Sequence, residues 1–404
     1  MIVGIDVGTT KVCTLIADVS RDLTEVLGVG IAPSQGVKRG VIVDVEAAVD
    51  AISASLRRAE QQSGFKAMSA FVGVSGAHIL STNSHAVINL RPAESVIGFD
   101  DVSRVIDGTR IVQLPPDQEI VHVVPRHFIV DGRDGLANPV GMTGHRLEVE
   151  ANIVTGSVTS IHNLMRCIQP VHVELDALVL EPLAAGKAVL TDEEQMQGAM
   201  VIDIGGGTTG AAVFRDGSLI HSCVLPVGGF QISNDLAIGL RATFQIAEEV
   251  KVRHGSTIEY ASGNGQMVTI PDYGRGEGHS VDQRIAAEII DARLAETFEL
   301  VQEQMLRAGF GYAYPAGVVI TGGSSQIPGT AALAFEVFGV PCRLGAPRRL
   351  HGLADAVRGP AFSTSVGLIE WGREQLDQST QTEPSTGVGR AGATIRAWLR
   401  NFFA

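Results

Sequence analysis

Short apolar runs alternate with glycine-rich turns near the start of the chain, and this pattern predicts buried strands around one helix. The helix is expected at Val45–Gln62, because Val45, Val49, Ile52 and Leu56 recur with the period of an amphipathic α-helix. The strands are expected at Ile2–Ile5, Lys11–Ala17, Glu25–Ile31 and Ser69–Val74.

A similar order of elements returns from Ala199 onward. Strands are expected at Met200–Asp203, Gly210–Phe214 and Leu219–Leu225, and helices near Gln231–Arg241 and Thr243–Arg253. A strand pattern that occurs twice predicts an α/β fold with two related lobes on either side of a cleft.

Two stretches fit neither copy. Between about Asn83 and Asn163, a helix near Asp100–Val112 and strands at Glu119–Val124, His127–Val130 and Arg146–Val154 predict an inserted α+β subdomain. The polar, glycine-rich stretch Gly255–Ser280 precedes an amphipathic helix at Asp282–Leu306, which predicts a subdomain on the second lobe.

These patterns divide the chain into six parts. They are the first lobe core (1–83 and 163–199), the inserted α+β subdomain (84–162), the second lobe core (200–226 and 312–372), the second-lobe subdomain (227–311), a flexible linker (373–389) and an amphipathic C-terminal helix (390–404). The linker is expected because Gln375–Gly389 is polar and poor in large apolar residues.

Composition excludes some classes of function. The chain has 404 residues with 45% hydrophobic and 19% charged residues, which is typical of a globular protein. A net charge of −13 argues against general nucleic-acid binding. The four scattered cysteines show no metal-binding spacing, and they favour structural thiols in a reducing cytoplasm. No secretory signal is recognised, because the first residues already form a core strand.

One turn sequence occurs twice. Asp6-Val7-Gly8-Thr9-Thr10 and Asp203-Ile204-Gly205-Gly206-Gly207-Thr208-Thr209 each follow an apolar strand. Glycines let backbone N–H groups approach an anion, threonines add hydroxyl donors, and aspartates hold hydrated Mg²⁺. Two such turns across a cleft would clamp a nucleotide polyphosphate. The alternative is two unrelated β-turns, since aspartate before glycine is ordinary turn chemistry.

Five motifs together resemble the actin, sugar-kinase and chaperone ATPase superfamily. They are Asp6–Lys11, Leu180–Ala185, Asp203–Thr209, Val319–Gly323 and Ala361–Trp371. Further segments are similar to the bacterial FtsA family in particular: Ser34–Asp44, and within the insertion Glu119–Gly132, Asn138–Met142 and Arg146–Val149. One departure is Ser324-Ser325, where the pattern has a further glycine or an alanine.

The resemblance implies ATP and Mg²⁺ as ligands. Asp6 and Asp203 would hold Mg²⁺ largely through water, and Glu181 would position the attacking water. The alternative for Glu181 is an acid stabilised at a helix N-terminus. Glu248 and Lys251 would contact the ribose and adenine, or they form a surface i,i+3 ion pair. The remaining nucleotide contacts would be Gly8, Thr9, Thr10, Lys11, Gly205, Gly206, Gly207, Thr208, Thr209, Gly322, Gly323 and Ser324.

The last fifteen residues carry one apolar stripe with helical spacing. It consists of Ile395, Trp398, Leu399, Phe402 and Phe403, flanked by Arg396 and Arg400. Such a helix suits binding to anionic membrane lipids. The alternative is a terminal helix that packs on the protein's own core.

Tail and resemblance together imply a peripheral membrane protein at the cytoplasmic face of the division site. It would self-assemble into filaments, bind the C-terminal peptide of the division-ring protein FtsZ near Val227–Gly311, and help to recruit later division proteins, with slow or no ATP hydrolysis. The alternatives are a pilus-assembly ATPase homologue, a sugar kinase, which would have no use for the tail, and a chaperone, for which too few residues follow Trp371.

Overall fold

In the computed structural model, two sheets share the same arrangement of strands. The structure describes residues 1–20, 23–90, 96–258, 267–270 and 278–381. The strands are β1 (Ile2–Val7), β2 (Lys11–Asp18), β3 (Thr24–Pro33), β4 (Val37–Lys38), β5 (Val41–Ile42), β6 (Ser69–Val74), β7 (Leu80–Asn89), β8 (Gln118–Val130), β9 (Arg133–Leu136), β10 (Arg146–Ser157), β11 (Glu174–Leu180), β12 (Ala199–Ile204), β13 (Thr209–Arg215), β14 (Ser218–Leu225), β15 (Met267–Ile270), β16 (His279–Asp282), β17 (Val318–Thr321), β18 (Cys342–Leu344) and β19 (Leu350–Gly352). The helices are α1 (Val45–Ser63), α2 (Phe99–Thr109), α3 (Val158–Ile168), α4 (Glu181–Val189), α5 (Asp192–Gln197), α6 (Gly229–Gly239), α7 (Phe244–His254), α8 (Gln283–Arg307), α9 (Thr330–Phe338) and α10 (Ser363–Gln381).

The repeated plan is an antiparallel meander extended by parallel strands. In the first lobe, β1, β2 and β3 pair antiparallel, and β6 and β11 continue the sheet in parallel beside β1. In the second lobe, β12, β13 and β14 form the meander, and β17 and β18 add the parallel strands beside β12. The predicted α/β duplication is therefore confirmed.

Helix α1 shows why the predicted helix forms where it does. The side chain of Asp44 caps its N-terminus by accepting a hydrogen bond from the Ala47 N–H at 3.1 Å, and Gly64 ends it with a left-handed φ of 72°. Ile52 and Leu56 on its apolar face are buried in the first-lobe core. The helix lies so close to β3 that a Cβ at Gly30 would be 1.8 Å from the Ser55 carbonyl oxygen.

The insertion is an α+β unit, as predicted, with a strand order that the sequence did not indicate. Its sheet has the order β7-β10-β8-β9, and α2 packs on it around a separate small core. The pattern predicted one strand before Pro125 and another after it, whereas β8 runs through the proline without a break. The register shifts where Ala151 pairs with Pro125 and Glu150 with His127, and this bulge accommodates the proline's missing N–H. Strand β7 was not predicted.

Two predicted boundaries need correction. The assignment of all of 312–372 to the second lobe is wrong, because β19 pairs with β3 in the first-lobe sheet and α10 packs on β1. The linker was predicted to start at residue 373, but α10 continues to Gln381, and Gln375 is buried despite its polarity. The rest of the linker and the predicted helix at 390–404 lie outside the described residues. None of the helices in the described ranges has the length and apolar character needed to cross a bilayer.

Candidate functional site

Two equivalent turns, one from each lobe, meet at the base of a cleft of about 420 Å³. In the first, the Gly8 N–H donates to the Lys11 carbonyl at 3.1 Å, and in the second the Gly205 N–H donates to the Thr208 carbonyl at 2.9 Å. The duplication therefore extends to individual hydrogen bonds. The turns touch, because a Cβ at Gly206 would lie 2.0 Å from the Thr10 hydroxyl oxygen.

Most of the predicted nucleotide-site residues line this one cleft, although they are spread over more than 300 positions. They are Asp6, Gly8, Thr9, Thr10, Lys11, Glu181, Asp203, Gly205, Gly206, Thr208, Glu248, Lys251, Gly322, Gly323 and Ser324. Gly207 instead packs against the Thr9 side chain. Thr209 is buried, and its hydroxyl donates to the Val227 carbonyl at 2.8 Å, so it does not face the cleft.

Three carboxylates face the same part of the cleft. Burial raises the pKa of Asp203 to about 6, with the charge of Asp6 adding to the rise and the Thr364 hydroxyl opposing it. Burial also raises the pKa of Glu181 well above its ordinary value, helped by the charges of Asp6 and Asp203. A bound cation would relieve this repulsion. Across the described ranges, no three acidic, histidine or cysteine side chains are spaced to ligate a metal directly. Carboxylates are oxygen ligands of the kind that Mg²⁺ takes, and Mg²⁺ keeps several waters, so these side chains fit a hydrated Mg²⁺.

Lys11 reaches from the first lobe to the segment that precedes α10. Its Nζ donates to the Ala361 carbonyl at 2.5 Å and lies 4.8 Å from the centroid of the Phe362 ring. The ammonium group is thus held in the cleft by a carbonyl oxygen and an aromatic ring. It is placed where a point charge can meet an incoming anion.

Glu248 and Lys251 form an ion pair in the wall of the cleft. The Lys251 Nζ lies 2.7 Å from the Glu248 carboxylate, and it also donates to the Ser233 hydroxyl and the Gly229 carbonyl at 2.9 and 3.1 Å. The i,i+3 ion pair of the alternative prediction is therefore present, but Lys251 is buried rather than at the surface. Because both side chains also line the cleft, the ion pair is part of its wall.

The residue that departs from the family pattern is accommodated. Ser324 donates from its hydroxyl to the Gly205 carbonyl at 3.2 Å, and this bond links the segment after β17 to the second turn. Gly322 has a φ of 90°, and a Cβ there would lie 2.3 Å from an Asp203 carboxylate oxygen. A glycine at this position is therefore required by the aspartate.

Sequence reasoning missed two hydroxyls at the start of α10 and one aromatic side chain. The Thr364 hydroxyl donates to Asp203, the Ser365 hydroxyl donates to Asp6, and Phe230 lines the cleft beside the second turn. Threonine and serine at a helix start are usually read as caps. No local pattern indicates that these two bind carboxylates 161 and 359 residues away.

Solved structures of several proteins share this fold over nearly the whole chain. The PilM–PilN type IV pilus biogenesis complex aligns with a TM-score of 0.65 and 15% identity, over 95% of this chain and 99% of the other. MreB5 of Spiroplasma citri bound to ADP aligns with a TM-score of 0.57 and 15% identity, over 95% and 98%. The MamK double helical filament gives 0.54 and 15%, over 92% and 98%. The chain therefore has an actin-like fold.

Sequence comparisons narrow this class to one family. A profile described as Cell division protein FtsA matches residues 200–367, and one described as SHS2 domain inserted in FTSA matches residues 76–155. Cell division protein FtsA of Pseudomonas aeruginosa is 39% identical over 93% of this chain and 90% of its own length. The Escherichia coli K12 protein of the same name is 31% identical over 100% and 98%. The chain belongs to the FtsA family.

Proposed function

We propose that this chain binds Mg²⁺-ATP between its two lobes, self-assembles, and tethers the FtsZ division ring to the cytoplasmic face of the membrane. The observation that carries the nucleotide part is the pair of equivalent turns that face one cleft, each with an aspartate at the end of its strand. Solved MreB5 with the same fold is bound to ADP, which supports a nucleotide as the occupant.

The residues of the cleft suit this ligand. The turns offer backbone N–H groups and the threonine hydroxyls to phosphate oxygens, and Lys11 adds a positive charge. Asp6 and Asp203 would hold the hydrated Mg²⁺, which neutralises phosphate charge. Glu181 stands at the first position of α4, where its carboxylate can orient a water.

Assembly and membrane binding are supported by different observations. The MamK neighbour of the same fold is a double helical filament, which supports polymerisation of this chain. The five apolar residues of the tail would give a gross burial gain of roughly 8–12 kcal/mol. Partial immersion and ordering of the helix offset much of this gain, at about 1 kcal/mol or more per residue. One tail should bind weakly, and many tails on one filament should bind strongly.

Family membership supports the partners. Relatives in Pseudomonas aeruginosa, Bacillus subtilis and Escherichia coli carry the name Cell division protein FtsA. We assign the FtsZ C-terminal peptide to the second-lobe subdomain at 227–311, and later division proteins to the inserted subdomain. The pilus-assembly alternative draws on the PilM–PilN fold, which at 15% identity is a likeness of fold alone.

The test is co-sedimentation with anionic vesicles, with and without Mg²⁺-ATP. The full chain is compared with a chain that ends at Gly389 and with Trp398→Glu, and Met196→Glu, an exposed residue on α5, serves as the matched control. We expect the full chain and the control to bind the vesicles, and their binding to strengthen with Mg²⁺-ATP. The two tail variants should lose binding. Equal binding with and without the tail would refute the anchor and favour the pilus-type alternative.

A nucleotide arm separates the two halves of the proposal. Asp203→Ala should abolish the effect of Mg²⁺-ATP on sedimentation, whereas Asp107→Ala, on α2 of the insertion, should not. An undiminished ATP response in Asp203→Ala would show that the cleft is not the nucleotide site.

A further inference from the structure

The first turn of α10 stands between the two lobes. Thr364 donates its hydroxyl to the Asp203 carboxylate and Ser365 donates to the Asp6 carboxylate, both at 2.7 Å. Asp6 lies on β1 of the first lobe and Asp203 on β12 of the second. Successive side chains on a helix point about 100° apart, so neighbouring residues can reach opposite lobes.

Each of these bonds occupies one oxygen of its aspartate and leaves the other. The hydroxyls bind the Oδ2 atoms of both carboxylates. The Oδ1 atom of Asp203 packs where a Cβ on Gly322 would stand, at 2.3 Å, and Oδ1 of Asp6 lies 3.8 Å from the equivalent position on Gly8. Both free oxygens therefore lie against the glycines that line the cleft.

The hydroxyls are themselves well fixed. Ser365 is completely buried and Thr364 is 7% exposed, so water competes little for their hydrogen bonds. Helix α10 is anchored behind them by Val366, Leu368 and Ile369 in the first-lobe core. A rigid, buried donor restricts a carboxylate rotamer more than water would, because its position does not change.

We propose that Thr364 and Ser365 are positioning residues of the Mg²⁺-nucleotide site. From one helix turn they fix the carboxylates of Asp203 and Asp6, and so they set the distance between the oxygens with which the two lobes would face Mg²⁺. This inference rests on the proposed nucleotide function. It assigns to the start of α10 a role beyond packing in the first-lobe core. If nucleotide binding displaces either aspartate, the hydrogen bonds transmit that displacement to the same turn of α10.

Neighbouring Ser363 offers a matched control. It is as buried as its neighbours, and its hydroxyl lies 2.6 Å from the Thr321 hydroxyl. Its described hydrogen bond is therefore to neither aspartate. A Ser363→Ala variant loses a buried hydrogen bond in the same turn, and it measures the general cost of such a loss.

The experiment measures the Kd of a fluorescent ATP analogue across a Mg²⁺ titration and in EDTA, together with the thermal midpoint without nucleotide. Thr364→Val and Ser365→Ala keep the shape of the side chains and remove the donors. We expect each to raise the Kd at saturating Mg²⁺ about tenfold or more, and to raise the Mg²⁺ concentration needed for half-maximal affinity, since bonds to charged groups are the strong ones. Ser363→Ala should change the thermal midpoint alone, and Thr364→Ser, which retains the donor, should restore the affinity.

Different failures are distinguishable. All three hydroxyl deletions could lower the thermal midpoint to the same extent while their Kd and Mg²⁺ dependence stay equal to those of the unaltered chain. In that case the two hydroxyls only stabilise the fold, and the positioning proposal is refuted while the nucleotide function stands. If the unaltered chain does not bind the analogue at any Mg²⁺ concentration, the proposed nucleotide function is refuted, and the positioning role with it.

Discussion

Substituting alanine for Gly367 tests the close crossing of α4 and α10. An added Cβ would lie 1.8 Å from the carbonyl oxygen of Ala184 and 2.3 Å from its carbonyl carbon. Both atoms are backbone, so no rotamer change relieves the clash. An ordinary C–H···O contact needs about 3.3 Å, so α4 and α10 would have to separate by about 1.5 Å.

The cost follows from this displacement. Overpacking of a core typically costs about 1–3 kcal/mol, and a clash between two backbones belongs at the upper end. Replacing glycine by alanine inside a helix offsets about 1 kcal/mol. We therefore expect the free energy of unfolding to fall by about 2 kcal/mol. The change should also weaken ATP binding, because Thr364 and Ser365 lie one turn before Gly367.

The assay is urea unfolding followed by tryptophan fluorescence. Trp371 lies on α10 itself, one turn after Gly367, and the chain has two tryptophans. The control is Gly239→Ala, another helical glycine, whose new Cβ would meet only the flexible end of Ile289. This variant should change stability by less than about 1 kcal/mol. Equal midpoints for Gly367→Ala and the unaltered chain would refute the close crossing.

Three further predictions concern single side chains. Burial lowers the pKa of His122 to about 4, so as the pH falls below about 6.5 the unfolded chain binds a proton at this residue before the folded chain does. The free energy of unfolding should therefore drop by up to about 3 kcal/mol between pH 6.5 and 4. Urea titrations at several pH values should show that a His122→Gln variant lacks this part of the pH dependence. Glu181→Gln should bind the fluorescent ATP analogue at least as tightly as the unaltered chain. Its rate of phosphate release should fall about tenfold or more, because a carboxylate that orients water is lost. An unchanged rate of phosphate release would favour the alternative that Glu181 is only an acid stabilised at a helix N-terminus. Burial raises the pKa of the Cys13 thiol to about 12, so it should resist alkylation at pH 8 in the folded chain and react after denaturation, as mass spectrometry can show.

Local patterns sufficed for the elements whose signals are local. The helix at Val45–Gln62 and the strands on either side of the two turns were predicted to within a few residues, because period and turn chemistry are encoded over short windows. The turn residues themselves revealed the cleft, because they occur twice. A duplicated signal is stronger than either copy.

Long-range features had no such signal. Strand β7 reads as polar because much of it is exposed, and it is specified by its ten-residue pairing with β10. His122 is buried and accepts a hydrogen bond from the Leu180 N–H at 2.9 Å, and no local pattern indicates this contact with a residue 58 positions away. The polar end of α10 looked like linker, because the contacts that hold it helical come from elements far earlier in the chain.

The return of the chain to the first lobe has a consequence for synthesis on the ribosome. Strand β19 joins the edge of the first-lobe sheet at Leu350–Gly352, and α10 then packs on β1. The sheet that begins at residue 2 is therefore completed by residues translated about 350 positions later. During elongation the second lobe can gather its own meander and α8 first, while the nascent first lobe still exposes the apolar faces that α10 will cover. This fold makes its earliest-synthesised lobe one of the last to close.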